Sequence, residues 1–488
     1  MRCLFFILFL SALSISHAQQ KTTLEEGFMS PPDSIRTGTF WYWISDNISK
    51  EGAIADLHAM KKAGINLAFI GNIGPSYHSS SNHPYGKVKF MSEEWWQVMH
   101  AALKTATELD IEIGIFNSPG WSQSGGPWVK PEQSMRYLAS SELVVRGPKK
   151  ISEKIPAPAH DFQDVKVLAF KARRDNLFDR GSVSFSSNIK GFVDYQYALP
   201  AGAESHITLT LPQAETVRGI LIHPAYYLHT QCLLQVRDGN EYKTIKEFPA
   251  SRDATIDPQR GFDQLAPIVE SLPETTGSQF RLVFKNTKEN SIISSITLTT
   301  APVVHRYPAK TFAKPENSTA APASFPDPSL FVAPEQVSDI SAHLAADGTL
   351  NWDVPEGDWV ILRTGMTPTG VKNSPAPPQA TGLETDKLSK EHIHAHFDAF
   401  LGEIHKRIPE ADRKCWKYTV LDSYEKGGQN ITDNFLELFK LHYGYDPTPF
   451  LPTYYGYPVG SYEISDRFLW DMRRFVADRI ACEYVAGL

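Results

Sequence analysis

Asp422 and Glu425 stand three residues apart in Leu421-Asp422-Ser423-Tyr424-Glu425-Lys426-Gly427-Gly428-Gln429, directly after the apolar run Tyr418-Thr419-Val420-Leu421. Two carboxylates leaving a buried strand into a glycine-containing segment suit the cleavage of a glycosidic bond. That reaction needs a protonated carboxyl to give its proton to the leaving oxygen, and a second carboxylate to activate water or attack the sugar. Asp422 and Glu425 are either two such partners or one acid with a supporting neighbour. The D-x-x-E spacing alone does not choose between these.

A second constellation is Asn117-Ser118-Pro119-Gly120-Trp121-Ser122-Gln123-Ser124-Gly125-Gly126-Pro127-Trp128. Sugars offer apolar C–H faces that stack on indole and hydroxyls that need small polar partners, and this loop supplies both. Its tryptophans also suit a turn that plugs the end of a domain, and the two can differ in role. His392, His394, His396 and His405 invite a metal reading, since His392 and His396 are one helical turn apart. No H-E-x-x-H accompanies them, and Ile393, Phe397 and Ile404 give the same segment an apolar side, so a structural role is preferred. There is no G-x-S-x-G elbow to point to a serine nucleophile.

These residues need elements to hold them. Phe40-Trp41-Tyr42-Trp43-Ile44 reads as buried strand. Ser49 caps a helix with Ala53, Ile54, Leu57 and Met60 on its apolar side, and Gly64 follows its end. Leu67-Ala68-Phe69-Ile70 is a second strand, Ser92 opens a second helix with Trp96, Met99, Leu103 and Ala106, and Ile111 to Phe116 is a third strand. The pattern resumes with a helix from Ser389 to His405 and the strand at 418–421. Alternating strands and helices predict a parallel α/β sheet. With no phosphate-cradling glycine motif, and with Asp46, Asn72, Asn117, Asp422 and Glu425 just beyond strand ends, an eight-stranded (β/α)8 TIM-type barrel is preferred over an open sheet. Only about half of its strands are accounted for, so the barrel is expected to be incomplete in this chain.

The interruption is a run of short alternating strands, among them Ile207-Thr208-Leu209-Thr210-Leu211 and Phe280-Arg281-Leu282-Val283-Phe284, with a turn at Asp238-Gly239-Asn240. It predicts an inserted antiparallel β-sandwich. The expected organisation is a leader at 1–18, the first part of the barrel at 19–144 and the sandwich at 145–307. A Pro-rich linker at 308–330 follows, then a further β segment with the barrel's continuation at 331–488.

The 488 residues, 42% apolar and 21% charged, exclude a disordered or coiled-coil chain and suffice for about three domains. With 48 basic against 55 acidic residues and no basic stripe, nucleic acid is not an expected partner. Arg2, the apolar run Leu4 to Leu13 and Ser16-His17-Ala18 read as an export signal cleaved after Ala18. The product would be periplasmic or extracellular, with no membrane span after cleavage. Cys232, Cys415 and Cys482 have unpatterned spacings and are expected as small buried residues, allowing at most one disulfide.

Several segments in order resemble glycoside hydrolase family 106, the α-L-rhamnosidases. They are Phe40 to Gly74, Gly120 to Trp128 with Pro131-Glu132-Gln133, Gly382-Leu383-Glu384-Thr385-Asp386-Lys387-Leu388-Ser389, Asp422 to Gln429, Gly444-Tyr445-Asp446-Pro447 and Phe468-Leu469-Trp470-Asp471. The resemblance implies an exported enzyme with a (β/α)8 barrel interrupted by β modules. It also implies hydrolysis of terminal α-L-rhamnose with inversion, and calcium at the sugar site. It places the general acid at Glu425 with Asp422 supporting, and the general base on a later strand. Trp43, Asp46, Asn72, Asn117, Trp121 and Trp128 complete the candidate sugar contacts, and the metal ligands are not assigned. The expected partner is a rhamnose-containing oligo- or polysaccharide. A non-catalytic carbohydrate-binding protein with a vestigial half barrel is the alternative.

Overall fold

Ser49 and Ser92 each accept a backbone hydrogen bond at the head of a helix, from Gly52 N at 3.0 Å and Trp95 N at 3.2 Å. These caps mark where strand gives way to helix in the first third of the chain. The computed structural model describes residues 24–32, 35–75, 84–122, 124–172, 175–193, 196–225, 227–252, 261–263, 265–314, 324, 326–422, 424 and 426–488. The leader therefore lies outside the described residues, as do Gln123, Ser423 and Glu425. Strand β1 (Gly38–Ile44) leads through helix α1 (Lys50–Lys62) to β2 (Leu67–Ile73), and through α2 (Glu93–Leu109) to β3 (Glu112–Phe116). Much later come α3 (Lys390–Phe397), which continues through a π turn at Asp398–Gly402 and Glu403–Arg407, and β4 (Trp416–Val420). The four strands pair in the order β1-β2-β3-β4, all parallel.

Alternation along β1 decides which aromatic faces what. Trp41 and Trp43 point into a core with Leu57, Trp95, Met99, Leu103, Ile113 and Phe400, supplied by the helices and the neighbouring strands. The Trp41 indole donates to Asp56 at 3.0 Å. Phe40 and Tyr42 point the other way, each with its ring 6.1 Å from that of Phe116 on β3, two strands over. Strands two apart in a flat sheet are roughly 9.6 Å from each other. The sheet is curled, concave on this side, and forms a half barrel. The run at 40–44 is thus buried on one face only, and Phe40 remains 60% exposed.

After β3 the chain builds two antiparallel sheets before it returns. Strand Arg136–Lys154 pairs along its length with Thr349–Pro368, which also pairs with Gln163–Lys171, and Ser338–Asp339 closes the edge. The second sheet has eight strands between Ser182 and Thr299. Its long strand Ser205–Pro224 carries register shifts at Thr210/Glu215 and Val217/Gly219, and folds over a core of Leu209, Val217, Ile222, Leu234, Phe280 and Leu298. The turn between Leu228–Asp238 and Glu241–Arg252 places Gly239 at φ 60°, as its sequence demands. The described start of the Pro-rich stretch packs rather than extends. Tyr307–Lys310 is helical with Pro308 buried, and Thr311 and Ala313 are buried just beyond it. Helices Phe435–Tyr443 and Tyr462–Arg479 share a core through Phe439, Phe468 and Phe475. Ser461 caps the second, its side chain accepting from Ile464 N at 3.0 Å.

Cys232 and Cys415 are buried free thiols and Cys482 is an exposed one. Among the described residues no helix is long and apolar enough to cross a membrane.

Ile113 lies in the middle of the half-barrel core with no exposed surface. Ile113→Ala should cost about 2–5 kcal/mol and Ile113→Val about 0.5–1.5. Denaturant titration followed by tryptophan fluorescence will read this, since Trp41, Trp43, Trp95 and Trp96 share that core. An alanine cost below about 1 kcal/mol would contradict this packing.

Candidate active site at the strand ends

The C-terminal ends of parallel strands lie at one edge of the sheet, and that edge collects the polar residues expected to act. After β1, Ser45 and Asp46 both take left-handed backbone, φ 53° and 61°, a conformation that costs a non-glycine residue of order 1 kcal/mol. The Asp46 carboxylate is buried and receives Lys89 Nζ at 3.3 Å. Burial raises its pKa, and the lysine works against that shift. Asn72, within β2, accepts from the Trp95 indole at 3.0 Å. Asn117, following β3, donates its backbone N–H to Val420 O of β4 at 3.0 Å, which ties two strand ends together. Asp422 follows β4 and is exposed.

Across the mouth stand Tyr42 and Trp121, ring centroids 6.4 Å apart. Burial holds the Tyr42 phenol above its usual pKa; Trp121 opposes the shift and the Asp422 carboxylate adds to it. Tyr42 belongs to β1 and Asp422 follows β4, so the curl of the sheet brings its two edges into electrostatic contact. Trp121 is 41% exposed and presents an open indole face.

The other tryptophan of the loop turns inward. Trp128 stacks on Phe400 at 5.6 Å and 17°, and its Nε1 donates to His396 Nδ1 at 3.1 Å. His396 Nε2 donates to Asn117 O at 2.8 Å. A carbonyl only accepts and an indole N–H only donates, so the imidazole is neutral with its proton on Nε2. Burial lowers its pKa to about 4. The loop rests on the segment after Thr349–Pro368. Asn373 donates to Pro119 O at 3.0 Å, Ser374 N donates to Ser122 Oγ at 2.9 Å, and Leu383–Glu384 pairs with Gly125–Gly126. Gly126 and Gly382 meet backbone to backbone there; a Cβ on Gly382 would fall 2.0 Å from Gly126 O.

Of the residues singled out by sequence, Asp46, Asn72, Asn117 and Asp422 share the strand-end edge, with Trp121 at the mouth. Trp43 lies behind the sheet, edge-on to Trp41 and Trp95. Trp128 lies beneath the loop, and Glu425 falls outside the described residues. The remaining histidines diverge, His392 to Asp433 at 2.9 Å and His394 to Gly487 O at 3.0 Å. The sequence reading passed over Tyr42, whose period-two placement opposite Trp41 and Trp43 was the available signal. It also passed over the fully buried Glu384–Lys387 pair, 2.8 Å apart, whose lysine lies 5.7 Å from the Tyr424 ring.

A family profile described as alpha-L-rhamnosidase, glycoside hydrolase family 106, matches residues 29–488. The chain belongs to this family. A rhamnosidase structure from Novosphingobium sp. PP1Y superposes with a TM-score of 0.76 at 27% identity, covering 96% of this chain and 46% of its own. A Formosa agariphila protein provisionally named a beta-glucuronidase is 28% identical over 486 residues, 99% of this chain and 30% of its own length. The chain thus spans less than half the length of either relative.

His396 gives a pH test within the family fold. Unfolded histidine titrates near 6.5 and this one near 4, so the unfolded state takes up the proton first as pH falls. The stability it contributes is whole above pH 6.5 and is lost toward pH 4, by about 3 kcal/mol. His305, lowered to about 3, adds a loss of the same sign. Denaturant titrations across this window should show His396→Gln losing less stability than the parent protein. Parallel pH profiles would contradict a buried neutral imidazole.

Proposed function

We propose that this protein hydrolyses terminal α-L-rhamnosyl bonds of oligo- or polysaccharides, with inversion at the anomeric carbon. The observation that carries the reading is the convergence of Tyr42, Trp121 and Asp422 at the mouth of the curled sheet, in a chain of the rhamnosidase family. Trp121 and Tyr42 offer an apolar wall for the C–H face of a deoxysugar. Glu425, which matches the family's acid, protonates the departing oxygen, with Asp422 as its charged neighbour. The resemblance places the base that activates water on a strand later than β4. Inversion requires that carboxylate about 6.5–9.5 Å from the acid, with water between them. In this reading β1 and β4 are the two edges of a half barrel that further strand-helix units close into eight strands.

The charge at the mouth favours a neutral sugar over a uronic acid. Asp46 and Asp422 stand at the strand ends, while Lys89 is paired with Asp46 and Lys426 is turned to Ser374 and Lys372 O. A uronate entering here would meet the exposed Asp422 carboxylate. Calcium, implied by family resemblance, takes six to eight oxygen ligands. Among the described residues no three acidic, histidine or cysteine side chains converge, and the Asp46 carboxylate already holds Lys89. The leader at 1–18 would export the enzyme to the periplasm or beyond.

The full-length protein should release rhamnose from α-L-rhamnosides and leave β-glucuronides intact. Its first-formed product, followed by proton NMR, should be β-L-rhamnose. Glu425→Gln should lower the rate on natural rhamnosides by about 10²–10⁴-fold and on activated aryl rhamnosides far less, since good leaving groups need little proton donation. Preference for glucuronides would overturn the substrate assignment, and equal losses on both rhamnosides would remove Glu425 as the acid.

A further inference from the structure

Asp386 has no exposed surface, and its carboxylate accepts four hydrogen bonds. Oδ1 receives Leu388 N at 2.8 Å and Gln429 Nε2 at 2.6 Å; Oδ2 receives Arg136 Nη2 at 3.0 Å and Thr432 Oγ1 at 2.6 Å. Gln429 is held at its other end too, where Oε1 accepts from Lys387 N at 2.9 Å. Asn430 between them accepts from Leu138 N at 2.8 Å and donates to Thr311 O at 2.9 Å. Upstream, Lys426 is buried with Nζ 2.8 Å from Ser374 Oγ, and Tyr424 lies over the Lys387 ammonium. Tyr424 and Lys426 are the chain neighbours of position 425.

Arg136 supplies the charge that opposes Asp386 and shares it with Asp433, 2.9 Å from its other terminal nitrogen. The donors from Gln429 and Thr432 do something else: they fasten the segment that follows the acid to a charge that cannot move toward water. We propose that Asp386 is a positioning residue for glycoside cleavage, acting through Gln429 and Thr432 to set the loop from 426 to 432 and so the approach of the acid to the leaving oxygen. This rests on the reading of Glu425 as proton donor.

The test uses the full-length protein with Gln429→Met and Thr432→Val, which keep side-chain size and the Arg136–Asp386 pair, and Thr432→Ser, which keeps the hydroxyl. Turnover of a natural rhamnoside and of an activated dinitrophenyl rhamnoside is compared, with amide hydrogen exchange over 426–432. The Met and Val variants should lose about tenfold on the natural substrate and less than about threefold on the activated one, with faster exchange in that stretch. Thr432→Ser should behave as the parent. Equal losses on both substrates, or unchanged exchange, would overturn the proposal. A parent protein inert toward every α-L-rhamnoside would defeat the rhamnosidase reading instead, and the exchange comparison alone would then decide whether Asp386 holds the loop.

Discussion

A carboxylate taken wholly out of water must find its hydrogen-bond donors inside the protein, and Asp386 finds them in its own loop and on two distant stretches of chain. Arg136 comes from the start of a long antiparallel strand, Leu388 from the local loop, and Gln429 with Thr432 from the segment after β4. Meeting the needs of one charge therefore fixes where the half barrel, the antiparallel sheet and the C-terminal helices join. Buried ion pairs add little stability compared with well-packed apolar residues, so the contribution of this one is geometric. Arg136 extends the network to Asp433 at 2.9 Å, whose carboxyl is held well below its usual range by His392 and Arg136.

The mouth combines that fixed loop with a curled wall. Because the curl brings Tyr42 toward Asp422, the aromatic platform and the acidic edge share one end of the sheet. Trp121 stays outside while Trp128, seven residues on, is drawn under the loop by Phe400 and His396. One loop thus divides its tryptophans between contact surface and foundation.

Much of this was legible in the sequence, and the boundary of legibility is physical. Local rules carried the strands and helices: Ser49 and Ser92 cap where their side chains reach a backbone N–H, and the apolar spacing of Leu57, Met99 and Leu103 marks the buried sides. The order of polar strand ends followed from parallel topology. The identity of the aromatics on the concave face did not, because Tyr42 and Trp43 are adjacent and only the sheet's facing tells them apart. The Asp386 network was also hidden, since Arg136 and Asp386 are 250 residues apart and nothing local announces their meeting. The packed helix at Tyr307–Lys310 escaped for a related reason: prolines read as linker until Phe312 is seen against Gly428.

The left-handed pair Ser45–Asp46 has a practical consequence for protein engineering. Gly86 lies against it so closely that a Cβ there would fall 2.0 Å from Asp46 O, so the turn has no room to relax. Glycine at 45 would relieve one unfavourable torsion of the native turn, yet the same freedom would let the Asp46 carboxylate drift from Lys89, and glycine at 46 would remove that carboxylate altogether. A thermostabilisation library for this scaffold should hold these two codons constant and seek its gains in the antiparallel sheets, away from the strand-end edge.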